Sequence, residues 1–346
     1  YYLKVKFNRI GNMAITIKDV AKETNLAIST ISKYINGGNV REKNRIIIQQ
    51  AIEKLGYIPN DAARSLRTSK SYLIGIMEGY IHSAHQSVIV GEIEKKLREK
   101  GYSLLFAGKD MEDGQAIRFA IENACDGLII CPANSDRQYI PLLKEKNIPA
   151  VLLEENWIGT ELDCVQTDAA TSSYELVEHL VKSGHSDIGI INGPPYRGTA
   201  SERLRGYKRV MKDYAMPLRK EFIIECEFRF EDGYRAMKQL WNLEKRPTAV
   251  FATSYDLAQG MMAAIHEMKL KVPEEVSIVV FDDFDLSTLV KPQLTAVSQP
   301  LIKLADTACD ILMRRIQNGW PEQRKVVRIK SQINYRDSVM DISGGE

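Results

Sequence analysis

Residues 16–38 read Thr-Ile-Lys-Asp-Val-Ala-Lys-Glu-Thr-Asn-Leu-Ala-Ile-Ser-Thr-Ile-Ser-Lys-Tyr-Ile-Asn-Gly-Gly. Thr16 is a hydroxyl N-cap with a carboxylate, Asp19, three residues on, the spacing of a capping box. Ile17, Val20 and Ala21 then share one helical face. Asn25 follows, a residue that tolerates the left-handed backbone needed to turn sharply out of a helix. A second short helix is expected from about Ile28 to Ile35, with Ile31, Tyr34 and Ile35 inward and Ser29, Thr30, Ser32 and Lys33 outward. Asn36-Gly37-Gly38 ends it. A third helix is expected over about Glu42 to Leu55, with Ile46, Ile47, Ala51, Ile52 and Leu55 packing back and Gly56 closing it. Two short helices joined by a tight turn and braced by a third make a helix-turn-helix unit, whose second helix enters the DNA major groove. Ser and Thr hydroxyls reach phosphates and base edges, and Lys reaches guanine O6 or N7. A three-helix module that packs against a protein fits the same pattern.

Charge separates this head from the rest. Residues 1–70 hold 13 Lys/Arg against 5 Asp/Glu, while the remainder holds 34 against 40, so a net charge of +2 hides +8 in the head and −6 elsewhere. A basic head on a mildly acidic body is the footprint of a nucleic-acid reader with a separate regulatory or catalytic body. Chance clustering on a solvated face is the plain alternative. With 346 residues, 44% apolar and 27% charged, the chain has material for two or three globular domains. No apolar run approaches the roughly 20 residues of a membrane span. Residues 1–12 lack an apolar h-region, so a secretory leader is not expected; they read as a disordered extension ahead of Met13. Five scattered cysteines (Cys125, Cys131, Cys164, Cys226, Cys309) without a Cys-x-x-Cys pair argue against a disulfide framework or a zinc site and suit a reducing cytoplasm.

After Ser71 the texture changes. Short apolar runs (Leu73–Met77, Ser103–Phe106, Leu128–Cys131, Ala150–Leu153, Ile188–Ile191, Ala249–Ala252, Ile278–Phe281) alternate with amphipathic stretches such as Glu92–Lys100, Thr171–Ser183, Glu202–Tyr214 and Leu257–Met268. Continuous apolar strands between helices mean parallel sheets covered on both faces. About seven such units predict an α/β body of two doubly wound lobes. Ligands of such folds sit beyond the carboxyl ends of the strands, here between the lobes.

Three blocks carry a resemblance: Thr16-Ile17-Lys18-Asp19-Val20-Ala21, Ile28-Ser29-Thr30-Ile31-Ser32-Lys33-Tyr34-Ile35-Asn36-Gly37, and Leu55-Gly56-Tyr57-Ile58-Pro59-Asn60-Asp61-Ala62-Ala63-Arg64-Ser65-Leu66. In order and spacing they resemble the lactose-repressor (LacI/GalR) family of transcription regulators. The resemblance implies base-reading places for Ile28, Ser29 and Lys33 and phosphate-contacting places for Thr30, Ser32, Asn36 and Asn44. The segment Asn60 to Leu66, with Pro59 before it and Asn60 as N-cap, is similar to the family's hinge helix. In the family that helix forms on DNA, pairs with its dimer mate in the minor groove and drives a leucine between two base pairs. Asn60, Ala63 and Leu66 take the DNA-contacting places there, Leu66 that of the wedge. The turn departs from the family's Ala-Gly-Val-Ser, reading Thr24-Asn25-Leu26-Ala27.

The body extends the resemblance through Asp126-Gly127-Leu128-Ile129-Ile130, Glu202-Arg203-Leu204-Arg205-Gly206-Tyr207, Val279-Val280-Phe281-Asp282-Asp283 and Gln293-Leu294-Thr295-Ala296-Val297. It implies a periplasmic-binding-protein-like fold with three crossings between lobes. The organisation expected is a helix-turn-helix head at 13–58, a hinge and linker at 59–71, and a body at 72–346. Lobe one takes about 72–169 and 298–324, and lobe two about 170–297 and 325–346. By the same resemblance Arg203 is the ligand-clamping arginine, Asp282 an acceptor for ligand hydroxyl or amine groups, and Phe228 a stacking ring, with Arg197, Thr199 and Ser254 beside them. Two departures stand out: Ser254-Tyr255-Asp256 where the family has Asn-Asp, and His82-Ser83-Ala84-His85-Gln86 where it has Asn-Pro-Phe-Phe. The two histidines lack a third metal ligand and read as a polar pocket wall.

Dinucleotide, Walker, zinc-protease and hydrolase-elbow motifs are all missing, so an enzyme is the weaker class. A transporter's solute-binding protein would share the body but not the head, and a regulator answering to a protein partner would keep both. The reading is a homodimeric DNA-binding regulator, a repressor, in the cytoplasm on the nucleoid. It needs no cofactor or metal, binds a near-palindromic operator, and senses a sugar or sugar derivative between the lobes. Residues 337–346 show no heptads, so a coiled-coil tetramer is not expected.

Overall fold

The computed structural model describes residues 15–35, 38–57, 70–77, 84–107, 115–131, 138–155, 157, 159–320 and 323–344. Two units separate, residues 1–71 and 72–346. In the first, α1 (Ile17–Thr24) starts at the expected capping box: the Thr16 N–H and hydroxyl both donate to the Asp19 carboxylate at 2.8 Å. Those two bonds hold Asp19 below the usual carboxylate range. Asn25 takes the left-handed conformation (φ 52°) that ends α1 and starts the turn into α2 (Ile28–Ile35). Gly56, at φ 62°, closes α3 (Glu42–Leu55).

Val20, Ile31, Ile48, Ala51 and Tyr57 form the core of the head. Part of the expectation fails here: Ile46 is 49% exposed, Ile47 is only half-buried and outside the core, and Ile48 is buried in their stead. The inward face of α3 runs 48, 51, 52, 55, the i, i+3, i+4, i+7 set, and Ile46 lies off that phase. Asn36 and the expected hinge helix over Asn60–Leu66 fall outside the described residues.

The second unit holds two six-stranded sheets. The first contains β1 (Leu73–Met77), β2 (Ser103–Ala107), β3 (Gly127–Ile130), β4 (Ala150–Leu153) and β5 (Asp163–Thr167), interleaved with α4 (Ala84–Glu99), α5 (Gln115–Glu122) and α6 (Ile140–Glu145). After α7 (Ala169–Lys182) the second sheet is laid down as β6 (Ile188–Asn192), β7 (Ile223–Glu225), β8 (Ala249–Ala252), β9 (Ser277–Phe281) and β10 (Thr295–Ser298). Its helices are α8 (Gly198–Asp213), α9 (Phe230–Trp241), α10 (Tyr255–Glu267) and α11 (Asp285–Leu289). The chain then returns to the first lobe with α12 (Leu301–Asn318), adds β11 (Val326–Ile329) to the first sheet, and ends with β12 (Gln332–Asn334) in the second. All neighbours are parallel except β12, antiparallel to β10.

The seven apolar runs read from the sequence are all strands, and β3, β4, β6, β8 and β9 are buried along their whole length. The expected border at 324/325 is corrected: β11 pairs with β5, so the third crossing comes after Ile329. The cause is Asp163, 1% exposed. Its carboxylate takes a forked pair from Arg315 of α12 (2.7 and 3.2 Å) and the Lys325 N–H (2.7 Å), which delivers the chain to the edge of β5.

The sheet orders, β11-β5-β4-β3-β1-β2 and β12-β10-β9-β8-β6-β7, each reverse direction beside their first strand. That reversal opens a crevice at the carboxyl ends of the strands.

Candidate effector cleft and nucleic-acid interface

On α2, Ile31 is buried while Ile28 (44% exposed), Ser29 and Lys33 face solvent; Thr30 and Ser32 are half-buried. One face of a short helix thus carries the three side chains expected to read bases, with an apolar anchor beneath. Asn44 lies half-buried in the first turn of α3, where backbone N–H groups also suit a phosphate. Asn36, Asn60, Ala63 and Leu66 are outside the described residues.

In the body, a cavity of about 480 Å³ is lined by Arg203, Asp282, Phe228, Arg197, Thr199 and Ser254, all six residues expected there, together with side chains of the first lobe. Arg203 projects from α8 and is 5% exposed. Its Nη1 donates to the Thr253 carbonyl, and the guanidinium carbon sits 4.0 Å over the Phe281 ring. The Nε has no partner. Burial pulls this guanidinium down from its ordinary value, and the carboxylates of Asp282 and Glu154 hold it up.

Asp282 follows β9 at φ 80°, a left-handed backbone rare for a side chain larger than glycine's. The kink splits two consecutive carboxylates. Asp282 accepts from the Tyr255 N–H at 3.2 Å and from the Gln299 amide. Asp283 turns the other way and takes the Arg336 fork at 2.9 and 2.7 Å.

Ser254 caps α10, its hydroxyl accepting from the Leu257 N–H at 3.3 Å. Phe228 lies against Gly193, where an added Cβ would strike the ring. The helices behind it, α9 and α10, seat on each other's backbones: a Cβ at Gly260 would meet the Phe230 carbonyl, and one at Gly233 the Leu257 carbonyl. Close seating fixes where Phe230 and Tyr255 enter the cavity.

Several lining residues escape the sequence reading. Glu154 and Glu155 follow β4 as Asp282 follows β9, and a carboxylate just beyond a strand's carboxyl end is the signal that could have found them. Glu154 Oε1 accepts from the Thr167 N–H (2.9 Å) and stands 2.8 Å from its hydroxyl, which is also 2.8 Å from Gln299 Oε1. Glu155 Oε2 accepts from the Gly198 N–H at 2.9 Å, joining the lobes across the cleft at the N-terminus of α8. His85 lines the cavity, and its Nε2 is buried without a partner; His82 lies outside the described residues. No group of three metal-type side chains is assembled among the described residues. Burial pushes the thiols of Cys164, Cys226 and Cys309 up to about 12 and that of Cys125 to about 11, which leaves little thiolate for nucleophilic chemistry.

Residues 16–60 match the family described as bacterial regulatory proteins, lacI family, and residues 177–339 match a periplasmic binding protein-like domain. The HTH-type transcriptional repressor PurR of Klebsiella pneumoniae subsp. pneumoniae is 32% identical over 332 residues, covering 94% of this chain and 97% of the relative. PurR of Salmonella typhi is 32% identical over 334 residues with the same coverage. Among solved structures, the lac repressor dimer bound to operator and the anti-inducer ONPF superposes with a TM-score of 0.82 at 24% identity, over 95% of this chain and 100% of that one. A LacI family transcriptional regulator from Enterococcus faecium with bound ribose gives 0.69 at 25% identity, over 78% and 99%.

Proposed function

The chain belongs to the LacI family of bacterial regulatory proteins and is a DNA-binding transcriptional repressor controlled by a small-molecule effector; we propose that this effector is a sugar or sugar derivative held between the two lobes. What carries the reading is the convergence on one cavity of Arg197, Thr199 and Arg203 from the start of α8, Phe228 from the loop after β7, Ser254 from the N-cap of α10 and Asp282 from the end of β9. A buried guanidinium beside a buried carboxylate offers both donors and acceptors, as a polyhydroxylated ligand requires. The relative from Enterococcus faecium has ribose bound, which supports the same class of ligand.

In our reading Ile28, Ser29 and Lys33 read bases, with Thr30, Ser32, Asn36 and Asn44 on phosphates. Ile28 offers only apolar contact, suited to a thymine methyl. Asn60, Ala63 and Leu66 form a hinge helix that pairs with its dimer mate in the minor groove. The protein works as a homodimer on a near-palindromic operator, in the cytoplasm and on the nucleoid. Effector binding shifts the balance between two states of lobe closure, and with it the ordering of the hinge helices.

Selection of bound duplexes from a random DNA pool, with the full chain at physiological salt, tests this. A palindrome with a deformable central step is the expected result. Recovery of salt-sensitive binding without sequence preference would overturn the assignment of α2 as a base reader.

A further inference from the structure

The described lining of the cleft carries a negative surplus. Among the described residues that line it, six carboxylates stand against three guanidinium groups. The floor shows the same surplus at close quarters. Arg203 is 5% exposed and its single charge is faced by two acids, Asp282 of the second lobe and Glu154 of the first. Among the described residues, the floor around Arg203 holds no second cation to meet a ligand's carboxylate or phosphate. The surplus calls for a cation.

The hydrogen-bond inventory points the same way. Ionised carboxylates accept and never donate, and each oxygen has more than one lone pair to offer. Asp282 uses one bond on each oxygen, to the Tyr255 N–H and the Gln299 amide, and keeps acceptor capacity on both. Phe228 and Tyr255 line the same cavity, the Tyr255 ring held edge-on to Phe284 at a centroid separation of 5.3 Å. An aromatic wall beside carboxylates suits an ammonium group, which gives its N–H bonds to the acids and its charge to the ring face. One donor of the floor is also unspent: the Nε of the almost fully buried Arg203 has no partner, and a ligand hydroxyl satisfies it. Closing the lobes over surplus carboxylates is costly unless the ligand brings the missing charge.

We propose, resting on the reading of this cleft as the effector site, that the effector is a hydroxylated small molecule carrying an ammonium group, such as an amino sugar. Its ammonium is shared by Glu154 and Asp282, one from each lobe, so that the charge it brings also draws the lobes together. Its hydroxyl oxygen accepts from Arg203.

Three probes with one pyranose skeleton test this on the full chain: glucosamine, with its amine protonated, glucose, and glucuronate. Calorimetric titration is expected to rank glucosamine at least about tenfold tighter than glucose, the scale of one charge-assisted contact, with glucuronate weaker still. Glu154→Gln and Asp282→Asn, checked for unchanged melting, are each expected to shrink that preference. Glucose or glucuronate binding as tightly as glucosamine overturns the proposal. Should this skeleton not fit, small-molecule extracts sorted by ion exchange into cationic, neutral and anionic fractions are assayed for a change in operator binding. Activity in the cationic fraction supports the proposal, and activity confined to the neutral or anionic fraction overturns it while the effector site stands. Activity in no fraction overturns both.

Discussion

The Glu155 carboxylate and the Gly198 backbone N–H meet at 2.9 Å although they belong to different lobes. The bond places a negative charge on the positive end of α8, and a Cβ added at Gly198 would push that carboxylate aside. Glu155→Ala should therefore cost about 1 kcal/mol, the value of one partly exposed charge-assisted bond. In a melting experiment that is a fall of about 2–4 °C for a unit of this size. An unchanged midpoint would mean that the bond does not hold the lobes in solution.

Arg203→Ala should abolish the response of operator binding to effector while leaving operator affinity in its absence intact. The substitution leaves Asp282 and Glu154 facing each other without their cation, so some loss of stability accompanies it. Anisotropy of a labelled operator, titrated with effector, separates the two effects. A full response in the variant would remove the cavity from the regulatory mechanism.

Leu66→Ala tests the wedge. Operator affinity should fall by about tenfold or more, the scale of a lost specific contact of about 1–3 kcal/mol, with the thermal midpoint unchanged. Binding to random DNA, carried by phosphate contacts, should change little. An equal loss on both DNAs would mean that Leu66 does not act between base pairs.

His185 makes stability depend on pH. Its Nε2–H donates to the Met340 carbonyl (3.1 Å) and its Nδ1 meets the Thr248 hydroxyl (2.9 Å), fastening the C-terminal segment to the second lobe. Burial pushes its pKa below the ordinary 6.5, against the smaller upward pull of the Met340 bond. The folded state thus favours the neutral ring: its contribution is complete above about 6.5 and is lost as pH falls from there toward the depressed folded value. Urea midpoints of the parent should drop across that window, and those of His185→Gln should drop less. Parallel profiles would show that another group, such as the similarly depressed His179, carries the effect.

How far the sequence can be read depends on where each residue's constraint lies. Runs such as Ile188–Ile191 announce themselves because a strand covered on both faces must be apolar throughout. β5, Asp-Cys-Val-Gln-Thr, is just as buried but does not look it, since Asp163 is tolerated inside through Arg315 and the Lys325 N–H, both more than a hundred residues later. The same separation hides Gln299, whose amide ties Asp282 to Thr167 of the other lobe. Arg203 and Asp282 are readable because they sit in local motifs. Ile46 misleads because three isoleucines in a row satisfy more than one helical phase, and only packing against α1 and α2 selects Ile48.

The late return of the chain to its first lobe also sets the order of events during synthesis. The three helices of the head are complete once Tyr57 has emerged, and they can pack while the body is still being made. Lobe one has no such independence. Its packing helix α12 and its edge strand β11 emerge only after all five strands from β6 to β10, so β5 must wait with an unpaired edge through nearly half of translation. An open strand edge in a half-made domain invites pairing with other chains. A nascent chain stalled anywhere between residues 170 and 300 therefore carries β5 with its edge still open to pairing by other chains.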